Sequence, residues 1–345
     1  MTLLFVDGFD HYATGDFTKK WNSVTGAPTV NGATGRRGTR SLRVVNINRH
    51  LTRNFAAISS WVIGFAFKFT TSPTSASPIC VLLDSGAVQC DLRVNPDLTI
   101  SVTRNGNSLT GGTSANAFAL DSFYYVEFKV TIADSIAASS CVVRVNGAAW
   151  LTVATGQDTK NTANTTANQL RLGINSSSAT AALGNADFDD LYVCDQSGST
   201  NNDFLGDVRV DTLFPNSDGA FSDFTPSTGS THYVLVDEDE PNTTDYADGL
   251  TVGDRDSYGM GNLAALSSQT VYGVQVNAAL NKDDAGAKSA ATFVRSGSTN
   301  ADGALSALGT SQAYVSQVFE EDPDASGAWT ETTVNAMEAG VVVTA

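Results

Sequence analysis

One glutamate, Glu127, stands in the first 204 residues. Hydrolysis of a glycosidic bond works with two carboxylates across the scissile bond, about 5–5.5 Å apart when configuration is retained. Glu127 lies in the alternating run from Tyr124 to Ile132, where Tyr125, Lys129 and Thr131 share its parity, so that face holds no second acid. Asp187, Asp189 and Asp190 could substitute, but they fall at a strand edge without the paired spacing. The histidines His11, His50 and His232 are scattered and suggest no zinc site. No Gly-x-Ser-x-Gly elbow, phosphate loop or dinucleotide fingerprint is present. The residue types assemble no catalytic centre, and the chain is expected not to be an enzyme.

Binding chemistry has more candidates. Asp237, Asp239, Asp245 and Asp248 offer the hard oxygen donors that calcium takes, though not at the spacing of an EF-hand loop. Asp7 and Asp10 form a second, smaller pair, and no other cofactor is expected. Arg36, Arg37, Arg40 and Arg43 fall in a window from Asp16 to Asp84 that contains no acid, which suits an anionic partner. Trp21, Tyr125 and Trp150 are the aromatics placed to stack on a sugar, whereas Trp61, Phe65, Phe67, Tyr124 and Phe128 sit at core periodicity. Cys80, Cys90, Cys141 and Cys194 lack the close pairing of a metal or redox motif and read as buried thiols.

The elements that would position these groups are strands. Trp61, Ile63, Phe65, Phe67 and Phe69 alternate with Val62, Gly64, Ala66 and Lys68, the period of a strand packed on one face. Asn105-Gly106 and Asn146-Gly147 supply the positive φ angles of tight hairpins. Charged residues are only 16% of the 345, so long solvated helices are not expected. A polar stretch at 198–206 reads as a linker between a first domain at 1–197 and a second at 207–345. Strands are expected in the second at 208–213, 232–236, 272–280, 289–295, 313–319 and 340–344. A hairpin turn is expected at 282–286 and a short helix at 330–338. The first 204 residues balance 15 basic against 15 acidic groups, and the remainder holds 5 against 21. Nucleic acid is therefore an unattractive partner, and no apolar run approaches the roughly 18 residues of a membrane span.

Three segments carry a resemblance: VVRVNG from Val142 with Trp150 following, LRLGI from Leu170, and FDDLYV from Phe188. Together they resemble the concanavalin A-like (laminin G-like) jelly-roll superfamily. That implies an all-β sandwich in which the last segment pairs beside the N-terminal strand. The second part, with DTLFPNSDG from Asp211, HYVLVD from His232 and KDDAG from Lys282, resembles C-terminal domains of uncharacterised tailed-phage virion structural proteins. It implies a virion protein exposed on the particle, and the strands of this part are expected to form a second, smaller β-sandwich.

The expected function is that of a non-enzymatic bacteriophage virion protein made in the host cytoplasm. It would be displayed on head or tail as a homotrimer against other virion proteins, with the basic window docking on the particle. The alternative is a carbohydrate-binding adhesin that recognises a host surface glycan.

Overall fold

The computed structural model describes residues 2–45, 47–175, 184–264 and 270–345, and the counts of strands are of these residues. The chain divides into two compact units, Met1–Val210 and Asp211–Ala345. The boundary falls later than 198–206, because the supposed linker packs on the first unit through hydrogen bonds from Leu205, Gly206 and Val210.

In the first unit the strands are β1 (Leu3–Asp7), β2 (Ser23–Thr25), β3 (Thr29–Asn31), β4 (Ser41–Val45), β5 (Arg49–Ile58), β6 (Ser60–Phe69), β7 (Ser77–Asp84) and β8 (Ala87–Val94). They continue with β9 (Thr99–Arg104), β10 (Asn107–Ala117), β11 (Tyr124–Thr131), β12 (Cys141–Val145), β13 (Ala148–Thr152), β14 (Ala167–Ile174) and β15 (Asn185–Asp195). One sheet runs β13-β12-β11-β6-β15-β4-β3, with β1 also paired to β15. The other runs β10-β9-β8-β7-β14-β5-β2. All pairings are antiparallel. The expected closing pair is present, with Val6 opposite Tyr192 and Asp7 opposite Leu191.

Side-chain alternation fills the space between the sheets. Trp61, Ile63, Phe65 and Phe67 of β6 and Val126, Phe128 and Val130 of β11 are buried, as are Cys80, Leu82, Cys90, Leu92, Leu170 and Leu172 from the other sheet. Phe55 of β5 meets Trp61 edge-on at 5.3 Å, one contact across the sandwich. Both hairpins form as expected, with φ of 44° at Asn105 and 50° at Asn146. The four cysteines are free, buried thiols.

The second unit centres on a six-stranded sheet in the order Pro215–Ser222, Arg255–Met260, Glu338–Val343, Ser289–Ser296, Thr299–Asp302, with Ser306–Ala307 also beside Ser289–Ser296. A ribbon of Val274–Leu280 and Ala313–Phe319 and the helix Glu331–Ala336 supply Val276, Phe319 and Val334 to a core shared with Val294, Trp329 and Ala339. The helix is capped as expected, Thr333 donating its backbone N–H to the Thr330 hydroxyl at 3.1 Å. Three expectations are corrected. Residues 208–213 form no strand. Residues 232–236 hold a 3-10 turn, Tyr233–Leu235, because Asp218 Oδ1 takes the backbone N–H groups of both His232 and Tyr233. Residues 282–286 do not close a hairpin, since Val274–Leu280 pairs with Ala313–Phe319 while Ser289–Ser296 pairs with Glu338–Val343.

Candidate functional site

Each sheet of the first unit has an outer face turned away from the core, and the two differ. On the first sheet that face carries Tyr125, Glu127 and Lys129 of β11, Gly64 of β6, and Asp187, Asp189 and Tyr192 of β15. It is closed. Glu127 Oε1 accepts from the Tyr192 hydroxyl at 2.6 Å and from the Gly206 N–H at 2.8 Å. Leu205 N–H donates to the Tyr192 hydroxyl at 3.2 Å, and Asp203 pairs with Lys129 at 3.0 Å. Phe204 lies beneath the Arg144 guanidinium, 4.0 Å from ring centre to cation. Residues 203–210 thus form a strap over Glu127, which is 1% exposed. Glu127 is an anchor of packing here, not an open acid.

The same closure places several expected binding residues. Tyr125 is buried, stacked on Tyr192, and donates its hydroxyl to the Asp190 carbonyl at 3.1 Å. Trp21 is buried with its indole N–H on Asp7 Oδ2 at 3.0 Å. Neither is open to a sugar, and Trp150 is half-buried against Phe118 and Tyr124. Arg36 is engaged with Asp190 and Asp207, and Arg43 is bidentate on Asp187 at 2.7 and 3.0 Å. Arg40 donates to Asp10 and to the Tyr12 carbonyl, leaving Arg37 as the exposed member of the four. The acid-free window is neutralised in space by acids far away in sequence. In the second unit Asp237, Asp239 and Asp248 are exposed and Asp245 is half-buried. Among the described residues no three acidic, histidine or cysteine side chains converge to hold a metal.

Beside the strap, Asp10, Asp189 and Asp190 crowd together. Burial and the Asp190 carboxylate push Asp189 up to about 8, and burial with Asp190 and Asp7 pushes Asp10 up to about 6 against the hydrogen bond from Arg40. Both values lie above the ordinary 3.8, so the folded state holds these protons more tightly than the unfolded chain. Their stabilising contribution is full below pH 3.8 and is lost as pH rises through 6 and then 8. The melting temperature of the first unit should fall between about pH 6.5 and pH 8, and Asp189→Asn should flatten that fall. An unchanged slope in scanning calorimetry of the variant would reject this origin.

The outer face of the second sheet has a different composition, with Ser23 exposed, Arg171 half-buried, and Thr52, Val81, Asp91 and Thr103 buried. Register aligns Ser23, Thr52, Arg171, Val81, Asp91 and Thr103 in one row across β2, β5, β14, β7, β8 and β9. Five strand spacings of about 4.8 Å make this row about 24 Å long. Next to it on β5 and β14 lie His50 opposite Gly173 on one side and Asn54 opposite Gln169 on the other. Gly173 permits the close approach of His50, since a Cβ there would stand 2.8 Å from His50 Cα. Asp91 is satisfied, accepting from Arg93 at 2.5 and 2.9 Å and from the Thr103 hydroxyl at 2.6 Å. Gln169 donates to Asn54 at 3.0 Å. Two groups on this face are not satisfied: His50 Nδ1 and Arg171 Nε are buried without a hydrogen-bond partner. Burial and the Arg171 charge hold His50 down to about 4, so its ring is neutral at neutral pH.

Sequence reading missed this face. The available signal was parity: Arg171 is the outward position between Leu170 and Leu172, and Thr52 follows Leu51. The run of bases at Arg49 and Arg53 obscured it, because those residues share the parity of core Leu51.

No family model and no curated protein matches the chain. Solved structures are similar in part. A Trypanosoma rangeli sialidase aligns with a TM-score of 0.35 and 12% identity over 49% of this chain and 27% of its own. The alginate lyase Aly36B gives 0.38 and 12%, over 53% of this chain and 91% of its own. The cellulose induced protein Cip1 gives 0.39 and 12%, over 55% and 96%. This chain thus spans about a quarter of the sialidase. Two of these neighbours are enzymes by name, against which the expectation of a chain that is not an enzyme does not stand, and it is withdrawn. The chain is an all-β protein whose first unit is a sandwich of two antiparallel sheets.

Proposed function

We propose that the first unit recognises a glycan on the outer face of its second sheet. The observation that supports this most is the row from Ser23 to Thr103. Hydroxyl, guanidinium and carboxylate groups stand side by side on strands whose opposite parity is apolar core, with Gln169 and Asn54 adjoining. A sugar chain presents hydroxyls that both donate and accept, and such a row meets them with side chains held in place by sheet pairing. Display on a virion rests only on the resemblance of the second unit to virion proteins, and it stays within this proposal on that ground.

The test is calorimetry of the full chain against a panel of neutral and acidic polysaccharides, repeated with Thr52→Val and Gln169→Ala. Each variant removes about one hydrogen bond and should weaken binding about fivefold. A panel with no binder, or a binder indifferent to both changes, would reject the reading.

A further inference from the structure

Arginines of the first unit are generally matched, some by an acid and others by a carbonyl or a ring. Arg49 donates to the Ala27 carbonyl, Arg53 to the Lys20 carbonyl, and Arg144 lies over Phe204. Arg36 has Asp190 and Asp207, Arg43 has Asp187, Arg93 has Asp91 and Arg104 has Asp158. Arg104 leaves its Nε unmatched, but Asp158 neutralises its guanidinium. Arg171 differs. It sits on β14, between β5 and β7 near the middle of the sheet, with a buried Nε that has no partner and no ion pair among the described residues. The acid of its row, Asp91, is already held by Arg93 and Thr103.

His50 lies one register position along the same face and is 4% exposed, with Nδ1 also unmatched. A buried polar nitrogen without a partner is destabilising, and a half-buried cation without a counter-charge more so. Two such groups side by side in one polar row form half of a hydrogen-bonded arrangement. The missing half must carry negative charge for Arg171 and lone pairs in a plane for its fork of N–H donors, and a carboxylate meets both needs. The surrounding Thr52, Ser23 and Gln169 suit hydroxyls attached to the same molecule.

Resting on the reading of this face as a glycan site, we propose that its His50–Arg171 corner takes the carboxylate of an acidic sugar. Arg171 would supply the charge and the fork, and His50, neutral, one further hydrogen bond. Asp91 and Arg93 stay paired with each other and bound the corner on the far side of Val81.

The experiment compares three probes on the full chain: polygalacturonate, the same polymer with its carboxylates methyl-esterified, and free galacturonate. Binding to the acidic polymer should exceed binding to the ester, and Arg171→Gln should weaken it about tenfold or more. The same variant should weaken binding of the ester less than binding of the acid. It should also melt no lower than the parent, because it removes an unpartnered cation rather than a structural pair. Equal affinity for polymer and ester, with loss in Thr52→Val, would overturn the carboxylate assignment and leave the glycan face standing. Free galacturonate binding as tightly as the polymer would reduce the corner to a small-anion site and overturn the sugar assignment. A melting temperature several degrees lower in Arg171→Gln would show that the guanidinium has a structural partner and would also overturn it. Binding to none of the probes, nor to any glycan of the wider panel, removes both readings.

Discussion

Asp7→Ala is expected to destabilise the first unit by about 3–5 kcal/mol, the range for breaking a buried ion pair from one side. Asp7 is 1% exposed and accepts from the Tyr12 hydroxyl at 2.8 Å, the Trp21 indole at 3.0 Å and the Phe9 N–H at 3.0 Å. Lys20, 2% exposed, lies 3.2 Å from its carboxylate. Burial pushes the Asp7 carboxyl up, but Lys20, with the bonds from Phe9 and Tyr12, outweighs burial and holds it below the ordinary range. Without Asp7, the Lys20 ammonium keeps the Val6 carbonyl at 3.3 Å and His11 Nε2 at 3.1 Å but loses its counter-charge. Adding Lys20→Met should recover at least half of the loss, since no isolated charge is then buried. Denaturant unfolding of the two variants checks both statements. A single-variant loss below about 1 kcal/mol would mean that water reaches Lys20.

Gly64→Ala is the second large effect, expected at about 3 kcal/mol. A Cβ on Gly64 would stand 2.1 Å from Tyr192 Cε1 and 2.7 Å from Cζ. Tyr192 has little room to yield, because Tyr125 stacks on it and its hydroxyl is bonded to both Glu127 and Leu205. Moving the ring withdraws acceptors from the strap, so the Leu205 and Gly206 amides should exchange hydrogen faster while β6 and β11 keep most of their protection. Combining Gly64→Ala with Tyr192→Leu should be less destabilising than the sum of the two. Strict additivity in the cycle would show that the methyl is accommodated elsewhere.

The parts of this fold that sequence reveals are local ones. Alternation in β6 and β11, the Asn-Gly turns and the Thr330 cap each depend on residues within a few positions of one another. Burial on the second parity of β6 is different. Val62 and Ala66 are as closed as Trp61. Both pair with the closing strand β15, more than a hundred residues away. Trp21 and Tyr125 look amphipathic enough for a surface. They are internal because Asp7 and the Asp190 carbonyl satisfy their polar tips, and neither pairing has a signature in sequence. The arginine window fails as a basic patch for the same reason: Arg43 finds its acid 144 positions on, at Asp187. The candidate glycan face was legible only as parity. What makes it a face is a register joining β5, β14, β7 and β8, and hydrophobic periodicity does not encode which strands become neighbours.

The four free cysteines also report on folding. Burial raises the pKa of Cys80, Cys90 and Cys141, and only the thiolate attacks an alkylating or disulfide reagent, so the native sandwich keeps its sulfurs silent. Cys80, Cys90 and Cys141 point between the sheets, whereas Cys194 shares the outward parity of Tyr192 on β15. The order in which they are modified therefore dates events along the chain. Modification of Cys194 ahead of the other three marks an opening of the outer layer alone, and all four reacting together marks separation of the sheets.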